Sequence, residues 1–187
     1  MIKAVIFDLD GTLLDSMPMH WRGWQAAFRN YGTEIDYDFF FSNAGKAARE
    51  IAQILINHHD AKCTVEQIVE FKQQYVYQHL ADVEPIKAVL DVVLENYGKL
   101  PMAIGTGSER HRAEVMLKNA GLLHYFDCIV PADEVENHKP HPETFLKCAE
   151  LMGVAPELCE VFEDAEPGLA AARAAGMFAT DVKPFYE

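Results

Sequence analysis

Short apolar runs alternate with amphipathic segments along most of the chain. Continuous apolar runs of this length are typical of strands that are buried on both faces of a parallel sheet. They lie at 3–9, 101–105, 127–131, 159–162 and 177–182. Between them, helical spacing with proline near the starts and glycine at the ends predicts helices over 86–97, 108–120, 142–152 and 167–175. Strands that alternate with helices in this way predict right-handed βαβ units around a parallel sheet, which is a three-layer α/β fold.

The segment from 16 to 81 interrupts this alternation. It contains no convincing strand, and its apolar stripes predict helices over 17–31, 45–58 and 64–80. We therefore expect a helical module that is inserted after the first strand. The predicted domains are an α/β core formed by 1–15 and 82–187, and a helical cap formed by 16–81, with hinges near 15–17 and 81–84.

The composition is that of a globular protein with an excess of acidic residues. Hydrophobic residues make up 50% of the chain, and 29 Asp and Glu against 16 Lys and Arg give a formal net charge of −13. This balance argues against a nucleic-acid partner, which requires a basic surface. Four cysteines without a CxxC pair indicate buried thiols rather than disulfides or zinc ligands. Because no apolar stretch is long enough to cross a membrane, we expect a cytoplasmic protein with no membrane partner, monomeric or weakly dimeric.

Polar side chains follow four of the predicted strands. Asp8 and Asp10 come directly after the first strand, and Gly-Thr-Gly-Ser at 105–108 follows the second. A loop after the third strand carries Lys139, and the fourth strand ends in an acidic pair at 163–164. Since ligands of open parallel sheets bind beyond the carboxyl ends of the strands, we expect these groups to meet at one edge.

This combination of residues is suited to phosphoryl transfer. Asp8 can attack phosphorus and form an aspartyl-phosphate. An anionic substrate then requires a cation, and Asp8 and Asp164 can hold Mg²⁺ through their carboxylates. Lys139 can neutralise a phosphoryl oxygen, while Asp10 lies near enough to protonate a leaving group and then activate water.

The loop after the second strand supports two interpretations. The Thr106 hydroxyl and the backbone N–H groups of Gly107 and Ser108 can donate to phosphoryl oxygens. Alternatively, Thr106 and Ser108 can cap the helix predicted over 108–120. An Asp-x-Asp sequence after a strand is by itself usually a turn or a helix cap. Four such groups at consecutive strand ends nevertheless favour a catalytic site.

Four segments resemble the motifs of the haloacid dehalogenase-like phosphohydrolases. The resemblance extends from Met1 to about Val182 and implies a Rossmann-like core, a helical cap inserted after the first motif, and Mg²⁺ as cofactor. One departure is Ala165, where many members of this family have serine, so that we expect a local hydrogen bond to be lost. The segments are DLDGTLLDS at 8–16, GTGS at 105–108, HKPHPETF at 138–145 and VFEDAEPGLAAARAAGM at 161–177.

The resemblance also implies roles for individual residues. It makes Asp8 the nucleophile, Asp10 the acid and base, and Thr106 and Lys139 the groups that bind the phosphoryl moiety. The implied metal site consists of Asp8 and Asp164 as ligands, Asp10 through its carbonyl oxygen, and Glu163 in support.

Cap residues are expected to select the substrate. His20 and Trp24 lie four residues apart and therefore on one helix face, where they either pack the cap or contact a sugar phosphate. The resemblance to β-phosphoglucomutase-like members favours the second role. Gly45, Lys46 and Arg49 form a second candidate group, in which a cation can meet a distal phosphate or carboxylate.

The substrate is expected to be a small phosphorylated metabolite. Within the subgroup, the sequence most resembles sugar phosphatases that act on fructose 1-phosphate or 6-phosphogluconate. Glu109 follows Ser108, where a cation would better suit the second phosphate of a mutase intermediate, and this favours hydrolysis. A β-phosphoglucomutase-type isomerase and a non-catalytic binding protein with the same fold remain alternatives.

Overall fold

The computed structural model describes residues 1–43 and 48–185. The chain forms two compact units. The core unit consists of Met1–Ser16 and Val83–Glu187, and the helical unit consists of Met17–Asp82. In chain order the strands are β1 (Ala4–Phe7), β2 (Leu14–Asp15), β3 (Glu84–Pro85), β4 (Met102–Gly105), β5 (Cys128–Val130), β6 (Cys159–Glu163) and β7 (Phe178–Asp181). The helices are α1 (Met17–Arg29), α2 (Tyr37–Phe41), α3 (Ala48–His59), α4 (Val65–Gln78), α5 (Lys87–Asn96), α6 (Arg110–Asn119), α7 (Glu143–Met152) and α8 (Glu166–Ala174).

Five parallel strands form the sheet of the core unit. Their order is β5-β4-β1-β6-β7, so β1 lies in the centre between β4 and β6. The chain builds one half of the sheet with β4 and β5 and then crosses β1 to build the other half with β6 and β7. Such a reversal of strand order opens a crevice at the carboxyl ends of the central strands. The end of β1 therefore lies where a ligand of this fold is expected.

Small and aliphatic side chains let helices pack closely on this sheet. Residues 4–7 of β1 are buried throughout, as the continuous apolar run predicted. The side chains of Phe145 and Cys148 from α7 and Ala171 and Ala172 from α8 belong to one buried cluster with the strands. A cluster of this kind fixes the strand ends, because close-packed interiors tolerate little displacement.

The helical unit has its own apolar core. Trp24, Phe28, Leu55 and Ile68 are buried together, and they come from α1, α3 and α4. Thr64 begins α4 with a capping box, in which its side chain accepts from Gln67 N and the Gln67 side chain accepts from Thr64 N.

Three small elements, one helix and two strands, were not predicted from the sequence. Helix α2 has five residues, three of them Phe, and this aromatic composition gave no helical signal. The two-residue strands β2 and β3 pair antiparallel where the chain leaves and re-enters the core unit. Among the described residues, no helix is long and apolar enough to cross a membrane.

Candidate active site

The ends of three neighbouring strands and one loop supply the functional groups of the core unit. Asp8 follows β1, Thr106 follows β4, and Glu163 is the last residue of β6. Lys139 lies in the loop between β5 and α7. These residues come together although Asp8 and Glu163 are 155 positions apart in sequence (163 − 8 = 155).

Lys139 lies between two buried carboxylates. Its Nζ is 2.7 Å from Asp8 Oδ1 and 2.8 Å from Glu163 Oε2, and it donates a hydrogen bond to each. Nζ also lies 4.7 Å from the centroid of the Phe145 ring, at a distance typical of a cation–π contact. Asp8 is 6% exposed and Glu163 is 2% exposed, so these ion pairs are screened little by solvent. The arrangement holds the ammonium group directly beside the proposed nucleophile.

Burial and crowding of like charges change the protonation of this cluster. Burial, followed by the charge of Glu163, raises the pKa of Asp8 from 3.8 to about 7, although Lys139 acts in the opposite direction. Burial alone would lower the pKa of Lys139, but the two carboxylates and their hydrogen bonds outweigh it and raise that pKa. The negative charge of the site is therefore incompletely compensated by Lys139.

Asp164 is held by the loop that follows β1. Thr12 Oγ1 donates to Asp164 Oδ1 at 2.9 Å and accepts from Asp164 N at 3.1 Å. Gly11 has a φ of +85°, and a Cβ at this position would lie 2.9 Å from Asp164 Oδ2. Burial, followed by the charge of Asp8, raises the pKa of Asp164.

The acidic residues have the composition of a site for a hard divalent cation. Oxygens of Asp8, Glu163 and Asp164 lie within 4.8 Å of one another. Mg²⁺ prefers oxygen ligands and is usually held by one or two carboxylates with water and substrate phosphate. Three carboxylates against the single ammonium of Lys139 leave an excess of negative charge, which such a cation would neutralise. The residues present therefore fit Mg²⁺.

The loop after β4 lies beside Lys139. Thr106 and Gly107 line a pocket of about 200 Å³ together with Ala132, His138, Lys139 and Thr144. Ser108 N donates to Thr106 Oγ1 at 3.0 Å, and Ser108 Oγ donates to Asp10 Oδ2 at 2.6 Å. The alternative that Ser108 or Thr106 caps the next helix is wrong, because the N-cap of α6 is Glu109 and the first backbone N–H of the helix, that of Arg110, donates to Asp133 Oδ1 at 2.8 Å. Ser108 binds Asp10 instead.

The predicted substrate residues of the cap lie in the helical unit. Trp24 is 2% exposed, packs in the core of that unit, and has Lys72 Nζ 5.5 Å from its ring centroid. His20 lies one turn earlier on α1 and is partly buried. The guanidinium of Arg49 binds Glu66, and both side chains are about two-thirds exposed. Two further candidates, Gly45 and Lys46, lie outside the described residues.

Three contributors to the site escaped the sequence analysis. Thr12 was quoted only as part of a motif, and its two bonds to Asp164 are visible only in three dimensions. Phe145 looked like an ordinary apolar helix residue. Gly168 lies in α8, where a Cβ would be 1.9 Å from Glu163 Oε2. The sequence signal for this contact was a glycine in the first turn of a predicted helix, five residues after Glu163.

The central strands of the parallel sheet end in buried carboxylates, a lysine and a hydroxyl-bearing loop. These features are typical of an α/β enzyme with a site for phosphoryl chemistry. Comparison with known proteins gives the family. The family model of the haloacid dehalogenase-like hydrolases matches residues 5–182. The chain belongs to this family, as the motifs predicted.

Individual relatives agree with this assignment. The chain is 46% identical over 181 residues to fructose-1-phosphate phosphatase YqaB of Escherichia coli (strain K12), covering 96% of each protein. It is 31% identical over 180 residues to a phosphorylated carbohydrates phosphatase of Thermotoga maritima, with 94% of this chain and 82% of that protein covered. The structure of β-phosphoglucomutase from Clostridium difficile superimposes with a TM-score of 0.72 at 29% identity, covering 97% of this chain and 84% of that one. The predicted α/β fold is thereby confirmed.

Proposed function

We propose that this protein is a Mg²⁺-dependent phosphatase that hydrolyses small sugar phosphates through an aspartyl-phosphate on Asp8. The observation that carries the proposal is the position of Asp8. It is a buried carboxylate at the end of the central strand, bonded to Lys139 and close to two further acidic residues. The names of the phosphatase relatives support sugar phosphates as the substrate class.

The proposed metal site is formed by acidic residues whose carboxylate oxygens lie close to one another. Asp8 and Asp164 are the proposed side-chain ligands, Asp10 contributes its backbone carbonyl, and Glu163 supports the site while it holds Lys139. Bound Mg²⁺ would supply the positive charge that allows an anionic phosphate to approach the Asp8 carboxylate.

In the first step the phosphoryl group passes to the enzyme. A carboxylate oxygen of Asp8 forms a bond to phosphorus, and the bond between phosphorus and the sugar oxygen breaks. Asp10 gives its proton to the departing sugar oxygen, which leaves as a hydroxyl group. Lys139 and Thr106, with the N–H group of Gly107 in the loop after β4, stabilise the charge on the phosphoryl oxygens.

In the second step water releases the phosphate. Asp10 is now a carboxylate, and it takes a proton from a water molecule as that water attacks phosphorus. The bond between phosphorus and the Asp8 oxygen breaks, which regenerates the Asp8 carboxylate and gives inorganic phosphate. Asp10 is again protonated, so the cycle is balanced.

The helical unit is the proposed source of sugar specificity. His20, Trp24 and Arg49 are its candidate contacts, together with Gly45 and Lys46, which lie outside the described residues. The bond between Arg49 and Glu66 does not oppose this role, because both side chains are about two-thirds exposed and exposed ion pairs are weak.

A mutase is the second candidate, because a solved relative is a β-phosphoglucomutase. The chemistry at Asp8 would be the same, but a sugar hydroxyl would replace water in the second step. The exposed carboxylate of Glu109 next to Ser108 favours hydrolysis, since it repels a second phosphate at that position.

The deciding experiment is a phosphate-release screen with fructose 1-phosphate, 6-phosphogluconate and glucose phosphates, with Mg²⁺ or with EDTA. A coupled assay for glucose 6-phosphate formed from β-glucose 1-phosphate runs in parallel. We expect Mg²⁺-dependent release that disappears in Asp8→Asn and persists in the control Asp91→Asn, whose carboxylate is exposed on α5. Appreciable turnover by Asp8→Asn would contradict the covalent route. Glucose 6-phosphate without phosphate release would favour the mutase, and neither activity would favour a binding protein.

A further inference from the structure

Ser108 and Asp10 are joined by a short hydrogen bond between two strand ends. Ser108 Oγ donates to Asp10 Oδ2 at 2.6 Å, although 98 positions separate the two residues. This distance lies at the short end of the range for hydrogen bonds between a hydroxyl group and an oxygen. Ser108 is only 7% exposed, so water competes little for its hydroxyl group.

The backbone of Ser108 is fixed on both sides. Its N–H donates to Thr106 Oγ1 at 3.0 Å, and its carbonyl accepts from Ala132 N at 3.0 Å. These bonds tie the residue to the end of β4 and to the segment after β5. The backbone position from which the short Ser108 side chain extends is therefore fixed by the sheet.

The bond leaves the two carboxylate oxygens of Asp10 in different environments. Oδ2 accepts from Ser108, whereas Oδ1 is buried and has no hydrogen-bond partner in the part of the chain that the structure describes. A buried polar atom without a partner is unfavourable unless it has a further role. Within the mechanism above, Oδ1 is the oxygen on which the transferred proton would reside.

We propose that Ser108 is a positioning residue for Asp10, which it holds by Oδ2 so that Oδ1 faces the leaving oxygen and later the attacking water. The inference rests on the proposed function and deepens it. It differs from a role of the Ser108 side chain in phosphate binding, because a serine hydroxyl has one proton and cannot give it to Asp10 and to a phosphoryl oxygen together. The backbone N–H of Ser108 already donates to Thr106.

Ser108→Ala separates the two roles when it is assayed on leaving groups of different basicity. A sugar alkoxide needs a proton to depart, whereas the nitrophenolate of p-nitrophenyl phosphate does not. The ratio kcat/KM reports the steps up to transfer to Asp8. We expect it to fall about 10- to 100-fold for fructose 1-phosphate, which is less than the roughly 10²–10⁴-fold that a positioned acid–base group contributes, because Asp10 itself is retained. For p-nitrophenyl phosphate it should change less than about threefold.

The second step adds a distinct readout. Activation of water by Asp10 is needed for both substrates, and it limits turnover when the first leaving group is good. For p-nitrophenyl phosphate, Ser108→Ala should therefore lower kcat and KM together, about tenfold each. Loss of a phosphate contact would instead raise KM and lower kcat/KM equally for both substrates, and that result would overturn the proposal.

Two further variants test whether the effect depends on the hydroxyl group and on Asp10. Ser108→Thr keeps the hydroxyl and should retain wild-type behaviour within a few-fold on both substrates. In an Asp10→Asn background, Ser108→Ala should lower the residual rate with fructose 1-phosphate less than about twofold, since no acid is left to position. Equal losses in both backgrounds would also overturn the inference. If the wild type releases no phosphate from either substrate, the proposed function itself fails, so the two failures are distinguishable.

Discussion

Gly168→Ala is a sharp test of how the backbone shapes the site. In an ordinary helix this change would stabilise the protein by up to about 1 kcal/mol, because alanine has the higher helix propensity. Here a Cβ at position 168 would lie 1.9 Å from Oε2, 2.2 Å from Cδ and 2.6 Å from Cγ of Glu163. Favourable contacts between such atoms require about 3.5–4.0 Å. The Glu163 side chain must therefore move by more than about 1 Å.

That movement breaks the bonds that fix Glu163. Its Oε2 accepts from Lys139 Nζ at 2.8 Å, and its Oε1 accepts from Ala165 N at 3.1 Å. Loss of one partner of a buried ion pair costs about 3–5 kcal/mol. After subtraction of the helix-propensity gain, we expect Gly168→Ala to lower the free energy of unfolding by about 2–4 kcal/mol. Phosphate release should fall at least tenfold, because Lys139 would no longer be held beside Asp8.

Urea unfolding and phosphate-release assays measure the two effects. Gly23→Ala is a matched control, since Gly23 is also a buried helical glycine and its nearest side-chain atoms would lie 3.4 Å from a new Cβ. We expect that control to be as stable as the wild type or more stable. In a Glu163→Ala background the three clashing atoms are absent, so Gly168→Ala should cause no further loss of stability. A Gly168→Ala variant with wild-type stability and activity would refute the reasoning.

Three further predictions concern the same site. Ala165 is the N-cap residue of α8, and its backbone is extended, but its side chain cannot cap the helix. Ala165→Ser should therefore raise the free energy of unfolding by about 1 kcal/mol in thermal or urea unfolding. An unchanged value would contradict the inference that this helix lacks an N-cap hydrogen bond. Thr12→Val removes both bonds to Asp164 and should raise the Mg²⁺ concentration for half-maximal phosphate release about tenfold or more; an unchanged concentration would contradict a role of Thr12 in holding a metal ligand. In EDTA-treated protein, Asp8 has a pKa of about 7 when folded against 3.8 as its ordinary value, so the folded state binds more protons between these pH values. Stability in urea should therefore fall as pH rises from about 4 to 7, and a fall of the same size in Asp8→Asn would contradict the assignment to Asp8.

The sequence was most informative where one physical rule dominates. Burial on both faces makes the strands of a parallel sheet continuously apolar, and the observed β1, β4, β5, β6 and β7 all lie within the predicted runs or extend them by one residue. The ends of such strands must meet at one edge, which brought Asp8, Lys139 and Glu163 together in the prediction before any coordinates. Helix α2 was not predicted because its five residues show no helical periodicity. Tyr37 and Phe40 of this helix instead pack against the ring of Trp21.

Contacts between individual atoms were beyond the sequence for a different reason. Ser108 satisfies the sequence pattern of a helix cap as well as that of a loop residue, and only the geometry of the sheet shows that its hydroxyl binds Asp10. The same holds for Thr12, whose hydroxyl both donates to and accepts from Asp164. Composition and spacing predict which groups converge, but the choice among competing hydrogen bonds depends on small differences in atomic position that the sequence does not contain.

The two glycines of the site follow from the geometry of an acidic pair at a strand end. Glu163 is the last residue of β6 and Asp164 follows the strand, and their carboxyl groups pack against two different elements. Glu163 extends over Gly168 of α8 toward Lys139, and Asp164 extends over Gly11 of the loop after β1. At each place a Cβ would occupy the space of a carboxylate. Two adjacent acids at the end of β6 therefore require two glycines from elements more than 150 positions apart (168 − 11 = 157), and a change at either glycine should act first on the carboxylate that it faces and, through the contacts of that carboxylate, on stability.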